Sequence, residues 1–218
     1  MNRPLDNPAR LQMIEVDLAG RGIQNPKVLA AMSRVPRDEF VEPHQRALAY
    51  GDFPLPIDQG QTISQPYIVA LMTELVRPQA TDRALDVGCG SGYQAAILAE
   101  LVQHVFAVEL RDRLAASAQQ RLQRLGYRNI TLRHADGSSG WPEHQPYDVI
   151  IVGAAPAHVP RALIDQLAPG GRLAIPVGTH TQELMLIQKS PSGELSQRTI
   201  MGVRFVPLVT NSAASPTD

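Results

Sequence analysis

Between Asp86 and Glu109 the chain carries the residue types of a nucleotide-like binding site. Glycine recurs at every second position, Gly88, Gly90 and Gly92, directly behind a short apolar run at 84–87 that contains Asp86. Glycine permits positive φ and lets a ligand touch the backbone. A helical apolar pattern (Ala95, Ile97, Leu98, Leu101) opens behind the loop. The start of such a helix offers unpaired N–H groups and the positive end of its dipole. A second apolar run, 104–108, closes on Glu109, and a carboxylate at a strand tip can accept hydrogen bonds from both hydroxyls of a ribose. Strand, glycine loop, helix, strand and acid together indicate a nucleoside-type ligand at the strand ends of a doubly wound α/β fold.

The spacing discriminates between ligands. A dinucleotide fingerprint reads G-x-G-x-x-G, but Tyr93 occupies its third glycine position here and Gly92 comes one residue early. G-x-G-x-G after an aspartate, with an acid about twenty residues on, resembles instead the first motif of class I S-adenosylmethionine (SAM)-dependent methyltransferases. SAM has no pyrophosphate, so such a loop must admit an amino-acid moiety and a sulfonium. The plainer alternative is a glycine turn that only lets strand and helix pack closely. Asp86 could fix the loop by accepting backbone N–H bonds, the favoured role, or approach the ammonium of the methionyl part. Asp136, followed by Gly137, could accept from an adenine amine or simply close an Asx turn. Ser64 could cap the helix that Pro66 opens or aim its hydroxyl into the site, and the two roles are compatible.

The remaining candidates narrow the acceptor. The six histidines are scattered, without metal-ligand spacing, so no metal is expected. Cys89 sits between glycines and is not preceded by proline, unlike the nucleophile of cytosine-C5 methyltransferases. After the strand at 147–152 stands Gly153-Ala154-Ala155-Pro156, not the Asn/Asp-Pro-Pro-aromatic motif associated with amine methylation. Nothing there is built to hold an amine. Methyl transfer to an amine or hydroxyl must shed a proton and gains from a base. A carboxylate acceptor, with an ordinary pKa of about 4, is already ionised and needs only proximity, in-line orientation and partial desolvation.

These residues need a scaffold. Helical periodicity is expected over 8–18, ended by Gly20 and Gly22, and again from Asn25-Pro26 to Pro36. Residues 37–50 suggest short helices, and 50–65, with its prolines and glycines, a loop. A helix follows at 66–76. Strands are expected at 84–87, 104–108, 130–134 and 147–152, with helices behind the glycine loop, over 114–125 and over 159–167. Pro169-Gly170-Gly171 reads as a sharp turn. Strands at 172–177, 183–188 and 203–209 no longer alternate with helices, so antiparallel strands are expected at one sheet edge. Strand–helix alternation implies a parallel sheet with right-handed crossovers. The strand ends then align Asp86/Gly88, Glu109, Asp136 and Gly153 on one rim.

Composition sets outer limits. A chain of 218 residues builds one good-sized core. A formal net charge of -1 gives no electrostatic case for a nucleic-acid partner. The single cysteine, Cys89, cannot form an internal disulfide, which fits a reducing compartment. No apolar run has the length of a membrane span, and the first ten residues lack the apolar stretch of a signal peptide. A cytoplasmic monomer without membrane or nucleic-acid partners is the expectation.

Beyond the glycine loop, several segments resemble, in order, the protein-L-isoaspartate O-methyltransferase family over roughly 11–208. The most specific is D-F-P-L-P-I-D-Q-G-Q-T-I-S-Q-P, 52–66. L-D-V-G-C-G-S-G-Y, V-G-A-A-P, L-A-P-G-G-R-L-A-I-P-V-G and M-G-V-R-F-V-P-L add independent matches. The resemblance implies methylation of the α-carboxylate of L-isoaspartyl residues in damaged proteins and peptides, initiating repair through a succinimide. It implies SAM as methyl donor and S-adenosylhomocysteine as product. It assigns Ser64 to the active site and to substrate binding beside Ile57 and Val206. It places Gln61, Thr62, Ile63, Asp86, Gly88, Gly90, Gly92, Glu109, Asp136 and Gly137 against the cofactor. The expected fold is α/β: a doubly wound, mostly parallel Rossmann-like methyltransferase sheet with an N-terminal helical extension and antiparallel C-terminal strands. An N-terminal helical segment with the substrate-side loop would span 1–80, the SAM-binding core 81–210, and a disordered tail 211–218. The rivals are another class I methyltransferase, acting on a small molecule or RNA, and a non-catalytic SAM-binding module.

Overall fold

Asn-Pro pairs open the first two helices. In the computed structural model, which describes residues 7–210, the Asn7 side chain accepts from the Ala9 and Arg10 N–H groups and starts α1, Pro8–Gln12. The coil continues through a π-helical stretch, Met13–Leu18, and a tighter turn to Gly22. Asn25 accepts from the Lys27 N–H and starts α2, Pro26–Arg34, whose buried face is Val28, Ala31 and Met32. Residues 1–6 and the tail at 211–218, expected to be disordered, lie outside the described residues.

Short 3₁₀ turns lead into the 50–65 segment, which folds back on itself as a two-residue ribbon of β1, Leu55–Pro56, and β2, Thr62–Ile63. Helix α3, Pro66–Leu75, follows directly.

Among the described residues the main sheet has seven strands: β3, Arg83–Val87; β4, His104–Glu109; β5, Ile130–His134; β6, Tyr147–Val152; β7, Leu167–Val177; β8, Gln182–Lys189; and β9, Leu195–Val203. Their order is β5-β4-β3-β6-β7-β8-β9. The first five are parallel, and β8 and β9 join as antiparallel neighbours. The winding direction reverses between β3 and β6, which opens a crevice at their carboxyl ends.

Side-chain alternation assigns the two faces. Ala84, Val105, Ala107, Val149 and Ile151 pack with Ile68 and Met72 of α3 and with Ala95 and Leu98 of α4, Tyr93–Ala99. Leu85, Val87, Phe106, Val108 and Ile150 lie on the other face, with Trp141 and with Leu163 of the short α6, Arg161–Asp165. The N-terminal helices pack Met13, Leu18, Val28 and Met32 onto α4 and onto Leu114 and Leu122 of α5, Asp112–Arg124. Each large apolar side chain so buried contributes roughly 1.5–3 kcal/mol. The helices, the parallel strands and the antiparallel edge agree with the expected fold class.

Four local expectations are corrected. Ser64 does not cap α3: Gln65 holds the cap position and makes no side-chain bond to the helix. The Tyr67 N–H goes instead to Asp52 Oδ1 at 2.9 Å, a carboxylate supplied from the loop. The expected strand at 203–209 does not form beyond Val203, where β9 ends; among the described residues β9 is the last strand, and it pairs with β8 across the turn at Ser190–Glu194. Residues of β9 are almost all exposed, so no apolar alternation announces it. Pro169-Gly170-Gly171 is a bulge inside β7, where the register with β6 shifts. Helix α6 is shorter than the expected 159–167.

Asp52→Ala should therefore lower the unfolding free energy by about 1 kcal/mol, a cap's worth, while Ser64→Ala leaves it unchanged. Denaturant titration of both variants decides which residue starts α3.

Candidate active site

The carboxyl ends of β3, β4 and β6 converge on the glycine loop. Gly88, Gly90 and Gly92 take φ of 73°, 53° and 86°, a region in which side-chain-bearing residues are strained. The loop is tied back to β4: Gly88 and Cys89 donate N–H bonds to the Val108 carbonyl at 2.8 and 3.2 Å. Glu109 adds a second tie. Its Oε2 accepts from the Gly90 N–H at 2.8 Å and its Oε1 from the Arg111 N–H at 2.9 Å. From the opposite side, Gly153 brings β6 so close that a Cβ there would lie 2.7 Å from the Gly88 carbonyl oxygen.

Asp86 behaves differently from the loop-fixing role favoured for it. It is 1% exposed, and among the described residues neither carboxylate oxygen makes a well-formed hydrogen bond. Glu109 fixes the loop instead. Asp86 and Glu109 point to the same face of adjacent parallel strands, since Asp86 is in register with Ala107. Burial, reinforced by the charge of Glu109, pushes the Asp86 pKa up to about 8, with the Ala95 backbone N–H pulling the other way. Burial first, then Asp86 and Glu109, also push the Cys89 thiol well up, so no thiolate nucleophile is present.

Two cavities meet at the loop. One is lined by Gln61, Glu109, Arg111, Gly137 and Val206; the other by Ile63, Ser64, Asp86, Cys89 and Tyr93. They share Thr62, Gly88, Gly90 and Gly153. An open groove of about 1020 Å³ continues from the second, sharing Thr62, Ser64 and Phe205 with it, and carries His180 and Arg204 but no carboxylate in its lining. Thr62 borders all three spaces.

Most of the residues singled out in the sequence meet here, but not all. Gly92 caps α4 and faces Ala118 and Leu122 of α5. Asp136 Oδ1 accepts from the Ser138 N–H and hydroxyl at 2.9 and 2.7 Å, the Asx-turn alternative, while Gly137 lines the first cavity. Val206 lies with Glu109 rather than in the groove. Ile57 packs against Gly90 and faces a separate groove on the outer side of the loop. Among the described residues, no group of His, Cys, Asp and Glu could hold a metal ion.

Three positioning groups escaped the sequence reading. Asp52 holds the start of α3, accepts from the Gln65 amide at 2.7 Å and pairs with Arg21. Gln182 clamps the backbone of Phe205 with both amide atoms, at 2.6 and 3.1 Å. Arg37, wholly buried, donates to the carbonyls of Ala49 and Ser64. Each is a lone polar residue whose partner lies far along the chain, so spacing carries no signal for it.

Comparison with known proteins gives one answer. The family model for protein-L-isoaspartate(D-aspartate) O-methyltransferase matches residues 10–213. A protein-L-isoaspartate O-methyltransferase 2 of Pelobacter propionicus is 52% identical over 199 residues, covering 90% of this chain and 88% of that one. A protein-L-isoaspartate O-methyltransferase 1 of Syntrophobacter fumaroxidans is 50% identical over 202 residues, covering 92% of this chain and 94% of that one. A solved protein-L-isoaspartate O-methyltransferase superposes with a TM-score of 0.84 at 28% identity, over 93% of this chain and 66% of that one. A putative enzyme of the same name from Plasmodium falciparum, in complex with S-adenosyl-L-homocysteine, gives 0.80 at 26% identity, over 94% of this chain and all of that one (100%).

The Asp86 shift has a definite sign. Its folded pKa, about 8, lies above the ordinary 3.8, so between those values the folded protein binds more protons than the unfolded chain. This contribution to stability is full below the ordinary pKa and is lost as pH rises through the folded one. The ligand-free protein should lose stability from about pH 5 to about pH 8, and Asp86→Asn should flatten that slope. Thermal melts across the range would locate the proton elsewhere if the slope is unchanged in the variant.

Proposed function

The chain belongs to the protein-L-isoaspartate(D-aspartate) O-methyltransferase family, and we propose that it methylates the α-carboxylate of L-isoaspartyl residues in damaged proteins and peptides. The observation that carries this reading is the junction at Ser64. Ser64 borders both the Asp86 cavity and the open groove. The cavity there is lined by no histidine or lysine.

When bound, SAM supplies a methyl group on a sulfonium, open to in-line attack. The residues fit it. The unpartnered Asp86 carboxylate suits an ammonium, and the Glu109 oxygens, each holding one backbone N–H, keep lone pairs for ribose hydroxyls. Gly88, Gly90 and Gly153 leave backbone open to contact, with Gln61, Thr62 and Gly137 beside them. Ile63 shares the Asp86 cavity. Asp136 orders the turn that presents Gly137, and Gly92 starts the helix behind the loop. On the acceptor side, the Ser64 hydroxyl orients the carboxylate by hydrogen bonding and is not a nucleophile. No proton has to leave a carboxylate acceptor, so the transfer calls for no general base. The ester then closes to a succinimide as a backbone amide nitrogen of the substrate displaces methanol, its N–H proton leaving with the methoxide, and hydrolysis by water reopens the ring partly to aspartate. Val206 serves the cofactor cavity; Ile57 acts from behind the loop, through Gly90. We place the enzyme in the cytoplasm as a monomer, with damaged polypeptides as partners and neither nucleic acid nor membrane. The formal charge of -1 gives no electrostatic attraction to nucleic acid, and the lone cysteine fits a reducing compartment. A methyltransferase of another substrate class is not favoured.

Labelled methyl transfer to a matched pair of isoaspartyl and aspartyl peptides tests the reading. Label should enter only the isoaspartyl peptide and leave as methanol in base. Equal labelling of both peptides, or of neither, contradicts it. Ser64→Ala should cut turnover at least about tenfold, equivalent to ~1.4 kcal/mol, without lowering the melting temperature.

A further inference from the structure

We infer that Arg37 is a positioning residue that sets Ser64, on the acceptor side, against the glycine loop on the donor side. This rests on the role given to Ser64 above. Arg37 is 0% exposed and lines none of the cavities described, so it touches neither reactant. Its guanidinium meets three separate segments. Nε donates to the Ala49 carbonyl at 2.8 Å, in the stretch that enters the 50–65 loop. Nη2 donates to the Ser64 carbonyl at 2.8 Å. The guanidinium carbon lies 4.9 Å from the centre of the Tyr93 ring, and Tyr93 is the first residue of α4, directly behind Gly92. One rigid group thus bridges the serine of T-I-S to the helix that carries the cofactor loop.

The cost of keeping it there is visible. Among the described residues Nη1 makes no well-formed hydrogen bond, and Arg37 makes no direct ion pair. Burial lowers its pKa, opposed first by Tyr93 and then by the charge of Asp52. A buried, incompletely bonded cation is a poor way to fill an apolar slot. What a hydrocarbon could not do is hold two carbonyls and an aromatic face at once. A lysine could not either, because its ammonium is a point donor without the planar fork. Asp52 completes the arrangement by holding the Gln65 amide and the Tyr67 N–H. Ser64 and its neighbours are therefore fixed from both sides by buried or half-buried charge. In-line transfer is sensitive to such fixing, since a displacement of about 1 Å can cost about a hundredfold in rate.

The test is Arg37→Lys, alone and combined with Ser64→Ala. In the single variant S-adenosylhomocysteine affinity should stay within about twofold of the parent while kcat for the isoaspartyl peptide falls at least about tenfold. Added to Ser64→Ala, Arg37→Lys should lower kcat no further, because both changes remove one function. Additive losses, or affinity and kcat falling in parallel as active protein is lost, would overturn the inference. Amide exchange gives a readout that needs no turnover. Residues 62–65 should exchange faster in Arg37→Lys with the 88–92 loop unchanged, and unchanged exchange at 62–65 also overturns it. A parent protein that labels no isoaspartyl peptide contradicts the function proposed above, and the exchange result still decides Arg37.

Discussion

Two carboxylates share one face of β3 and β4, and only one of them is answered. Glu109 spends its oxygens on the Gly90 and Arg111 N–H groups and so shapes the glycine loop. Asp86, beneath the same loop, makes no well-formed hydrogen bond among the described residues, and burial pushes its pKa up to about 8. An ionised pair so buried is unfavourable until a cation arrives. The fold thereby prepares a place for a positively charged ligand before any such ligand is present. A methyl donor with an ammonium and a sulfonium meets that requirement, whereas a pyrophosphate would meet like charge.

The donor half and the acceptor half are built by different means. The donor half is regular: parallel strands, a glycine turn, a helix N-terminus. Its geometry follows from backbone hydrogen bonds and the register of β3 with β4 and β6. The acceptor half is irregular chain, the 50–65 loop and the 203–209 crossing, with almost no ladder of its own. Long-range polar groups stabilise it: Arg37 on the Ser64 carbonyl, Asp52 on the start of α3, and Gln182 on the Phe205 backbone. The Ala155–Pro207 bridge ties the crossing to the end of β6. Ser64 stands where the two regions meet, bordering both the Asp86 cavity and the open groove without capping its own helix.

That division also explains what could be read from the residues alone. Burial writes periodicity into a chain, so the four parallel strands β3 to β6, the buried α4 and the site rim were legible from 84–152. The acceptor segment was legible only as a matching string, because prolines and glycines carry no period. Strand β9 was missed because an edge strand with no buried face has no alternation to show. The cap of α3 was misassigned because Ser64 precedes Pro66 at a plausible distance, while the true acceptor, Asp52, reaches the helix through the tertiary fold. That Glu109, and not Asp86, ties the loop has the same origin. Sequence places both acids on one rim, but only the packed structure shows which oxygens meet N–H groups.

Calorimetry of S-adenosylhomocysteine binding, in buffers of different ionisation enthalpy at about pH 6.5, tests the central charge argument most directly. If an unpartnered, protonated Asp86 receives the ligand's ammonium, binding releases a proton in the parent protein and none in Asp86→Asn. No release in the parent, or the same release in both proteins, would contradict the account.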